Sequence, residues 1–397
     1  MKTRRLRLRF VVLPVVGLAL LLIALALLLR EPEGPAAPVA TAKPVPPPAE
    51  PAAPTPPRPK AVVAANDLAQ TQRLLQDPNV VATYLERYKE ANRYAPTTVP
   101  LVPGMKDVLQ PDVVPVRDMP VMGVRNLYTK PEHRLYYRFE TDKFRYVAPE
   151  PVQLRLSVYR GERKHEPVAV KVGAVSVHRL QPSGRHTVLG TVALKETSPG
   201  EYAATYLPPK RKGAEEDDLL QFEVSWEFTD GELKPGRERA LVQYTAFPPA
   251  AFTGRFLERL ENGSLFIDAE VESQREGTAQ VAGNLFAADG TTPVAVSVVP
   301  ATLKRGHSWV TLEFYGLVFH DRGVPGPYVL KTLRGHFPSS ASAGRGAEFS
   351  RFGGSHTTRG YELSAFTQKE WDSPRKQAGL KAYEDELARL RASSPLP

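Results

Sequence analysis

Apolar and polar side chains alternate with a period of two along most of the chain from residue 134 to residue 337. The clearest case is 219–228. Leu220, Phe222, Val224, Trp226 and Phe228 fall on one face there, and Gln221, Glu223, Ser225 and Glu227 on the other. A strand with one face in a core and one in water has this pattern. The same period predicts strands over 134–140, 152–160, 168–180, 187–196, 201–207, 219–228 and 238–247. Arg160-Gly161, Pro182-Ser183-Gly184, Ser198-Pro199-Gly200 and Asp230-Gly231 punctuate them as turns. Seven short strands in about 115 residues predict an antiparallel, immunoglobulin-like β-sandwich over 132–248. A second set (251–261, 264–273, 278–288, 293–299, 308–316 and 327–337) predicts another over 249–338. Its Asn262-Gly263 and Asp289-Gly290 are hairpin dipeptides, because both central residues of that turn need φ > 0.

Two stretches switch to the helical period. Val81, Tyr84, Leu85 and Tyr88 share one face of a helix within 61–95, with Asn66 and Asp77 as candidate caps and Pro78 at a first helical position. Pro96 ends it, and 96–131 reads as an ordered, irregular connection, so 61–131 forms a short helical segment and connection ahead of the sandwiches. Leu380, Tyr383, Leu387 and Leu390 mark a C-terminal helix within 367–397, capped by Ser373 and begun by Pro374. Between it and the second sandwich, 339–366 is rich in Gly, Ser and Arg and reads as a mobile loop.

One stretch has no polar face at all. Val11–Leu29 is uncharged and long enough to cross a bilayer's hydrocarbon core. A cleavable signal peptide has a shorter apolar region, of about 7–15 residues. The run is therefore expected to be an uncleaved transmembrane signal anchor, with the bilayer as its partner. The stub 1–10 carries Lys2, Arg4, Arg5, Arg7 and Arg9, which hold it in the cytoplasm and place the rest beyond the inner membrane, in the periplasm or outside the cell. Residues 31–60 follow, and many of the 39 prolines fall there. Such a linker is extended, at about 3.1 Å per residue, and reaches on the order of 90 Å.

Charge adds less than the formal +9 suggests. Five of those cations precede the anchor, leaving a surplus of four over all the rest. The tightest basic run, Lys210 to Lys212, is followed at once by Glu215, Glu216, Asp217 and Asp218. No nucleic-acid partner is expected from so dispersed a balance. The absence of cysteine excludes disulfides, thiolate metal sites and a Cys nucleophile.

The stretch GNLFAADGTTPVAVSVVPATLKRGHSWVTLEFYGLVFHDRGVPGPYVLKTLRG adds a further clue. A strand ends in a small turn, then come Pro-Val-Ala, an apolar strand closing in Phe-Tyr-Gly, and Gly-Pro-Tyr opening the last strand. Residues 255–337 thereby resemble the choice-of-anchor X β-sandwich module of bacterial exported proteins. The resemblance implies a non-catalytic module in an exported protein, and it carries over no functional residue.

Candidate chemistry is sparse. No phosphate-binding glycine loop, zinc-protease motif or nucleophile elbow is present. His320-Asp321, in a Gly-flanked loop, is one candidate pair, with His307 as a possible third member. Gly353-Gly354-Ser355-His356 offers a hydroxyl beside an imidazole, and Asp142 with the acidic run 215–218 offers oxygen ligands. None meets the needs of its chemistry, which are a base held by a third group or an alternating ligand loop. The expectation is therefore no catalytic, cofactor or metal residue. The chain reads as a membrane-anchored binding or scaffolding protein of the bacterial envelope, with a protein partner. The alternative is a subunit of a trans-envelope secretion or energy-transducing machine. Candidate contact loops are 161–166, 210–217, 320–326 and 339–360.

Overall fold

A computed structural model describes residues 76–393, apart from 115–116, 123, 163–164, 182–184, 210–217, 230–234 and 339–345. The apolar run 11–29, the linker 31–60 and the first part of the helical segment lie outside the described residues. Among the described residues no helix is long and apolar enough to cross a membrane.

The described chain begins with α1 (Pro78–Ala91), β1 (Thr98–Pro100) and the single turn α2 (Lys106–Leu109). The first sandwich opens with β2 (Met119–Pro120), α3 (Val124–Leu127), β3 (Leu135–Thr141), β4 (Arg145–Val147) and β5 (Val152–Arg160). It continues with β6 (Glu166–Pro167), β7 (Val170–Val172), β8 (Val175–Leu180), β9 (His186–Val192) and β10 (Lys195–Ser198). It ends with β11 (Glu201–Tyr206), β12 (Asp218–Phe228) and β13 (Gly236–Thr245). One sheet has the order β10-β11-β5-β3-β2 and the other β4-β13-β12-β8-β9. The two sheets form an immunoglobulin-like sandwich, with β6 also paired to β5 and β7 also paired to β12. Leu154, Leu156, Val177, Leu220, Phe222, Trp226 and Val242 fill the space between the sheets. The apolar face read from 219–228 is the one that turns inward. Gly236 lets β13 pass close to the indole, since a Cβ there would lie 2.0 Å from Trp226.

Three details depart from a plain antiparallel reading. The stretch 168–180 breaks into β7 and β8 at Gly173, where a Cβ would sit 2.9 Å from Ser225 Oγ. The stretch 187–196 is two strands, and β9 and β10 belong to opposite sheets. The chain also changes sheets between β3 and β4, so β4 runs parallel to β13, with Arg145 opposite Gln243 and Val147 opposite Thr245.

The second sandwich comprises β14 (Ala250–Glu261), β15 (Ser264–Ser273), β16 (Gly277–Phe286), β17 (Pro293–Leu303) and β18 (Gly306–Phe314). After them come α4 (Leu317–Arg322), β19 (Val329–Phe337), β20 (Ala347–Glu348) and β21 (His356–Thr357). Sheets β14-β15-β18 and β1-β17-β16-β19-β20 enclose its core, with β21 also on β19. One expectation is filled in here and another is corrected. Part of the connection 96–131 is a cover: Leu101 is buried against Ala282 and Val296, with Val108 and Leu109 beside them. Asn284, fully buried on that outer face, donates from Nδ2 to the carbonyl of Val108 at 2.9 Å. Residues 346–366, by contrast with the expectation, are not a mobile loop. Phe349 and Phe366 are buried in the core, and Phe352 packs at its margin.

Helix α5 (Pro374–Ser393) lies against α1. Val81, Leu85, Leu387 and Leu390 make their common core, and Gly379 admits the Tyr88 hydroxyl, which a Cβ would meet at 2.1 Å. Asp77 accepts from Asn79 N at 2.8 Å, and Ser373 Oγ accepts from Lys376 N at 3.1 Å, so both helices begin on side-chain caps.

The two sandwiches belong to one compact unit and are joined by a polar clasp. Gln243 Nε2 donates to Gly346 O at 2.8 Å, and Glu348 N to Thr245 Oγ1 at 3.2 Å. Arg351 pairs with Asp112 at 2.8 Å and donates to Arg145 O at 2.7 Å. The segment expected to be mobile therefore carries much of the link between the domains.

Candidate functional site

One open cleft among the described residues lies at one side of the first sandwich, between β3 in one sheet and β13 in the other. It has a volume of about 310 Å³. Its floor is Tyr137, Phe139 and Ala240, and Val114, Met119 and Leu241 stand around it. Met119 and Leu241 are exposed, as is nearby Val113. The cleft exists because both flanking strands are only partly paired on this side. β2 reaches β3 at Tyr136 and Tyr137 alone, and β4 reaches β13 only from Gln243 to Thr245.

The free part of β13 is regular. Its register with β12 is unbroken from Gly236 to Tyr244. Gln243 N donates to Phe144 O at 2.8 Å, and Thr245 O accepts from Ala148 N at 2.9 Å. Odd-numbered residues therefore aim their backbone groups away from β12, since antiparallel pairing uses alternate residues on each side. By the same alternation Arg237, Arg239 and Leu241 present N–H and C=O groups to the cleft. Among the described residues no strand pairs with them. This vacant lane continues that of β4 and is about 17 Å long at the rise of an antiparallel strand.

The side chains of the lane sort by face. Arg237 and Arg239 point to solvent and share Glu223, at 2.5 Å and 2.7 Å respectively. Burial alone would raise the pKa of Glu223, but the hydrogen bond from Arg239 and the charges of both arginines outweigh it and hold it below the usual range. Glu238 points inward. It accepts the Tyr137 hydroxyl on Oε2 and Arg239 N on Oε1, the latter at 2.9 Å. Burial, reinforced by the Glu238 carboxylate, keeps that tyrosine protonated far above its ordinary range. At the far wall Arg138 Nε donates to Asp118 at 2.8 Å. Glu140 has a buried Oε2 without a hydrogen-bond partner, and burial raises its pKa against the pull of Arg138 and Arg155.

The residues singled out from the sequence lie elsewhere and apart. His307 opens β18 and faces Glu270, with Nδ1 to Oε1 at 3.5 Å. His320 sits in α4 beyond the other end of that strand, so the strand alone separates them by about 23 Å. His320 Nε2 contacts Phe366 O at 3.2 Å, and Asp321 accepts from Arg93 at 2.8 Å and Tyr94 at 2.6 Å. This pair holds the entering chain and the segment before α5 onto α4. Burial and then Asp321 push the Tyr94 hydroxyl up to about 12. His356 stacks on Phe256 and meets Glu258 at 3.2 Å, with Arg359 on the same carboxylate. Imidazole and carboxylate thus fasten β21 to β14. Ser355 lies just before β21. Asp142 accepts from Tyr146 OH at 2.6 Å, closing a turn. Among the described residues no group of three or more His, Asp or Glu side chains converges as a metal site.

Of the expected contact loops, 210–217 and 339–345 lie outside the described residues. Within 161–166, His165 stacks on Tyr159. Most of 320–326 is the end of α4 and the Gly323 turn after it. The open edge of β13 was not among these loops. Its one sequence signal was Leu241, an apolar residue in phase with Arg237 and Arg239 on an otherwise polar face.

No protein-family model matches this chain, and no curated protein matches it. Solved structures do. A DUF4785 family protein from Legionella pneumophila is similar at 18% identity over 51% of this chain and 52% of that one, with a TM-score of 0.36. The trypsin-activated alpha-2-macroglobulin of Escherichia coli is similar at 14% identity over 58% of this chain and 16% of its own, with a TM-score of 0.20. A tetra-tandem repeat from the extending region of a large adhesion protein shares 13% identity over 57% and 48%, again with a TM-score of 0.20. The chain spans about half the length of the first of these and far less of the second.

Proposed function

We propose that this protein is a non-catalytic binding or scaffolding protein of the bacterial envelope. Val11–Leu29 anchors it in the cytoplasmic membrane with its N-terminus inside, and the Pro-rich linker carries the sandwiches beyond the membrane. The uncharged run and the five cations before it support that placement. One structural observation carries the binding role. The clasp of Gln243, Thr245, Glu348 and Arg351 fixes the sandwiches to each other, while among the described residues the β13 edge is left unpaired beside a cleft lined by both apolar and charged side chains. Rigid scaffolds that expose a strand edge are suited to recognition by main-chain pairing. The charged groups that would serve acid–base chemistry are engaged instead in holding strands and helices together, as at Glu258, Asp321 and Glu270.

Three measurements test this reading. A reporter fused after Pro397 is active only on the exported side; activity in the cytoplasm overturns the topology. A photo-crosslinker placed across the sandwich surface in intact membranes gives discrete protein adducts. Adducts nowhere on the surface, or turnover of an ester, peptide or glycan by the purified chain, overturn the binding role. Replacing Val11–Leu29 by an unrelated apolar helix leaves a tether's adducts unchanged, whereas a machine subunit would lose them.

A further inference from the structure

We infer that β13 binds an extended peptide of a protein partner by strand addition, and that the peptide alternates acidic with apolar residues. The inference rests on the binding role proposed above and names the edge and the kind of partner. Three features of the lane support it. First, the N–H and C=O groups of Arg237, Arg239 and Leu241 face a strand position in line with β4 that no described strand fills. Main-chain pairing there would extend β4's lane without disturbing the pairing between β12 and β13. Second, the lane is lined differently on its two faces. A residue opposite Arg237 or Arg239 would share their solvent face, where opposite charges across strands attract and like charges repel. The intervening residues would point into the cleft, over Phe139 and Ala240 and beside Val114. Third, exposed Leu241 and Met119 flank the entrance, and a strand laid between them would cover both.

The charge pattern also selects among occupants. A second copy of β13, paired antiparallel about Arg239, would set that arginine against its own copy. Glu238 guards the lane meanwhile, since its carboxylate holds Arg239 N–H in the absence of a partner. Inward-pointing charge is a common protection of strand edges. An entering strand supplies a carbonyl to that N–H and leaves Glu238 to Tyr137.

The test uses the full-length chain in mild detergent and a labelled seven-residue peptide of alternating glutamate and valine, with a lysine–valine peptide as counter-probe. Fluorescence anisotropy reads binding. The wild type is expected to bind the glutamate peptide at least about tenfold more tightly than the lysine peptide. Arg239→Pro removes a lane N–H that β12 does not use, and proline is tolerated at such edge positions. It is expected to weaken binding by on the order of tenfold while the melting curve stays cooperative, and Arg239→Ala, which keeps the N–H, should weaken it less. The triple variant Glu223→Arg, Arg237→Glu, Arg239→Glu exchanges the signs yet keeps the ion pairs, so it should prefer the lysine peptide. Undetectable binding by the wild type, an unchanged affinity in Arg239→Pro, or an unreversed preference in the folded triple variant would each overturn the inference. Membrane adducts that persist at other surface positions would then still leave the binding role standing.

Discussion

Phe349 tests how the second sandwich is closed. It is 3% exposed and lies 5.7 Å from Phe252 and 5.6 Å from Phe337, ring centre to ring centre. Gly335 lies beneath it, where a Cβ would come within 2.5 Å of the ring. Truncation of a buried phenylalanine costs about 3–5 kcal/mol, from lost transfer energy and the cavity left behind. For a cooperative unit of about 150–250 residues each kcal/mol lowers the melting temperature by about 2–4 °C, so Phe349→Ala should lower it by about 6–20 °C. Gly335→Ala alone should cost about 1–3 kcal/mol by overpacking against the ring. In the Phe349→Ala background the added methyl has room, and its cost should fall nearly to zero. The double-mutant cycle therefore carries a coupling of about 1–3 kcal/mol. Calorimetry and urea unfolding of the four proteins give the values. A cost below about 0.5 kcal/mol for Phe349→Ala, the range of ordinary surface changes, or additive effects in the cycle would refute the placement of this segment in the core.

Other elements give further expectations. Leu387→Ala should cost the helix pair about 2–4 kcal/mol locally, speeding amide exchange over 78–91 while the sandwiches melt as before. Arg351→Ala removes the Asp112 contact and the bond to Arg145 O. It should cost about 1–2 kcal/mol and broaden the distance distribution between spin labels on the two sandwiches. Glu223 has a depressed pKa, so its contribution to stability is present above its ordinary value of 4.5 and is lost as pH falls through the lower folded value. Glu223→Gln should therefore be less stable than wild type at pH 7 and lose less stability on acidification below pH 4.5, as read by urea midpoints across pH 3–7.

Strand positions and faces were readable where one face met water, as the 219–228 stretch shows. Strand breaks were not readable. Alternation runs through Gly173 and through 193–194 unchanged, because a strand that switches sheets keeps its period while changing its partner. The cover over the second sandwich left a faint mark. β17 is apolar on both faces, with Val296 and Val298 outward, and a two-sided apolar strand needs a second layer. The closing segment left less. Phe349, Phe352 and Phe366 hold it as isolated anchors without period, amid the Gly and Ser that suggest a loop. The open lane on β13 depends on how far β4 extends beside it, a tertiary fact that no local pattern in 238–247 encodes.

Residue-resolved amide exchange along β13, with and without the glutamate–valine peptide, tests the docking edge most directly. In the free protein Glu238 and Ala240, bonded to β12, should exchange slowly, and Arg237 and Leu241 should exchange fast. Saturating peptide should slow Arg237 and Leu241 by at least about tenfold and leave Glu238 and Ala240 unchanged. Protection of Arg237 and Leu241 already present in the free protein, or exchange there that the peptide does not alter, would contradict an open strand edge that binds by pairing.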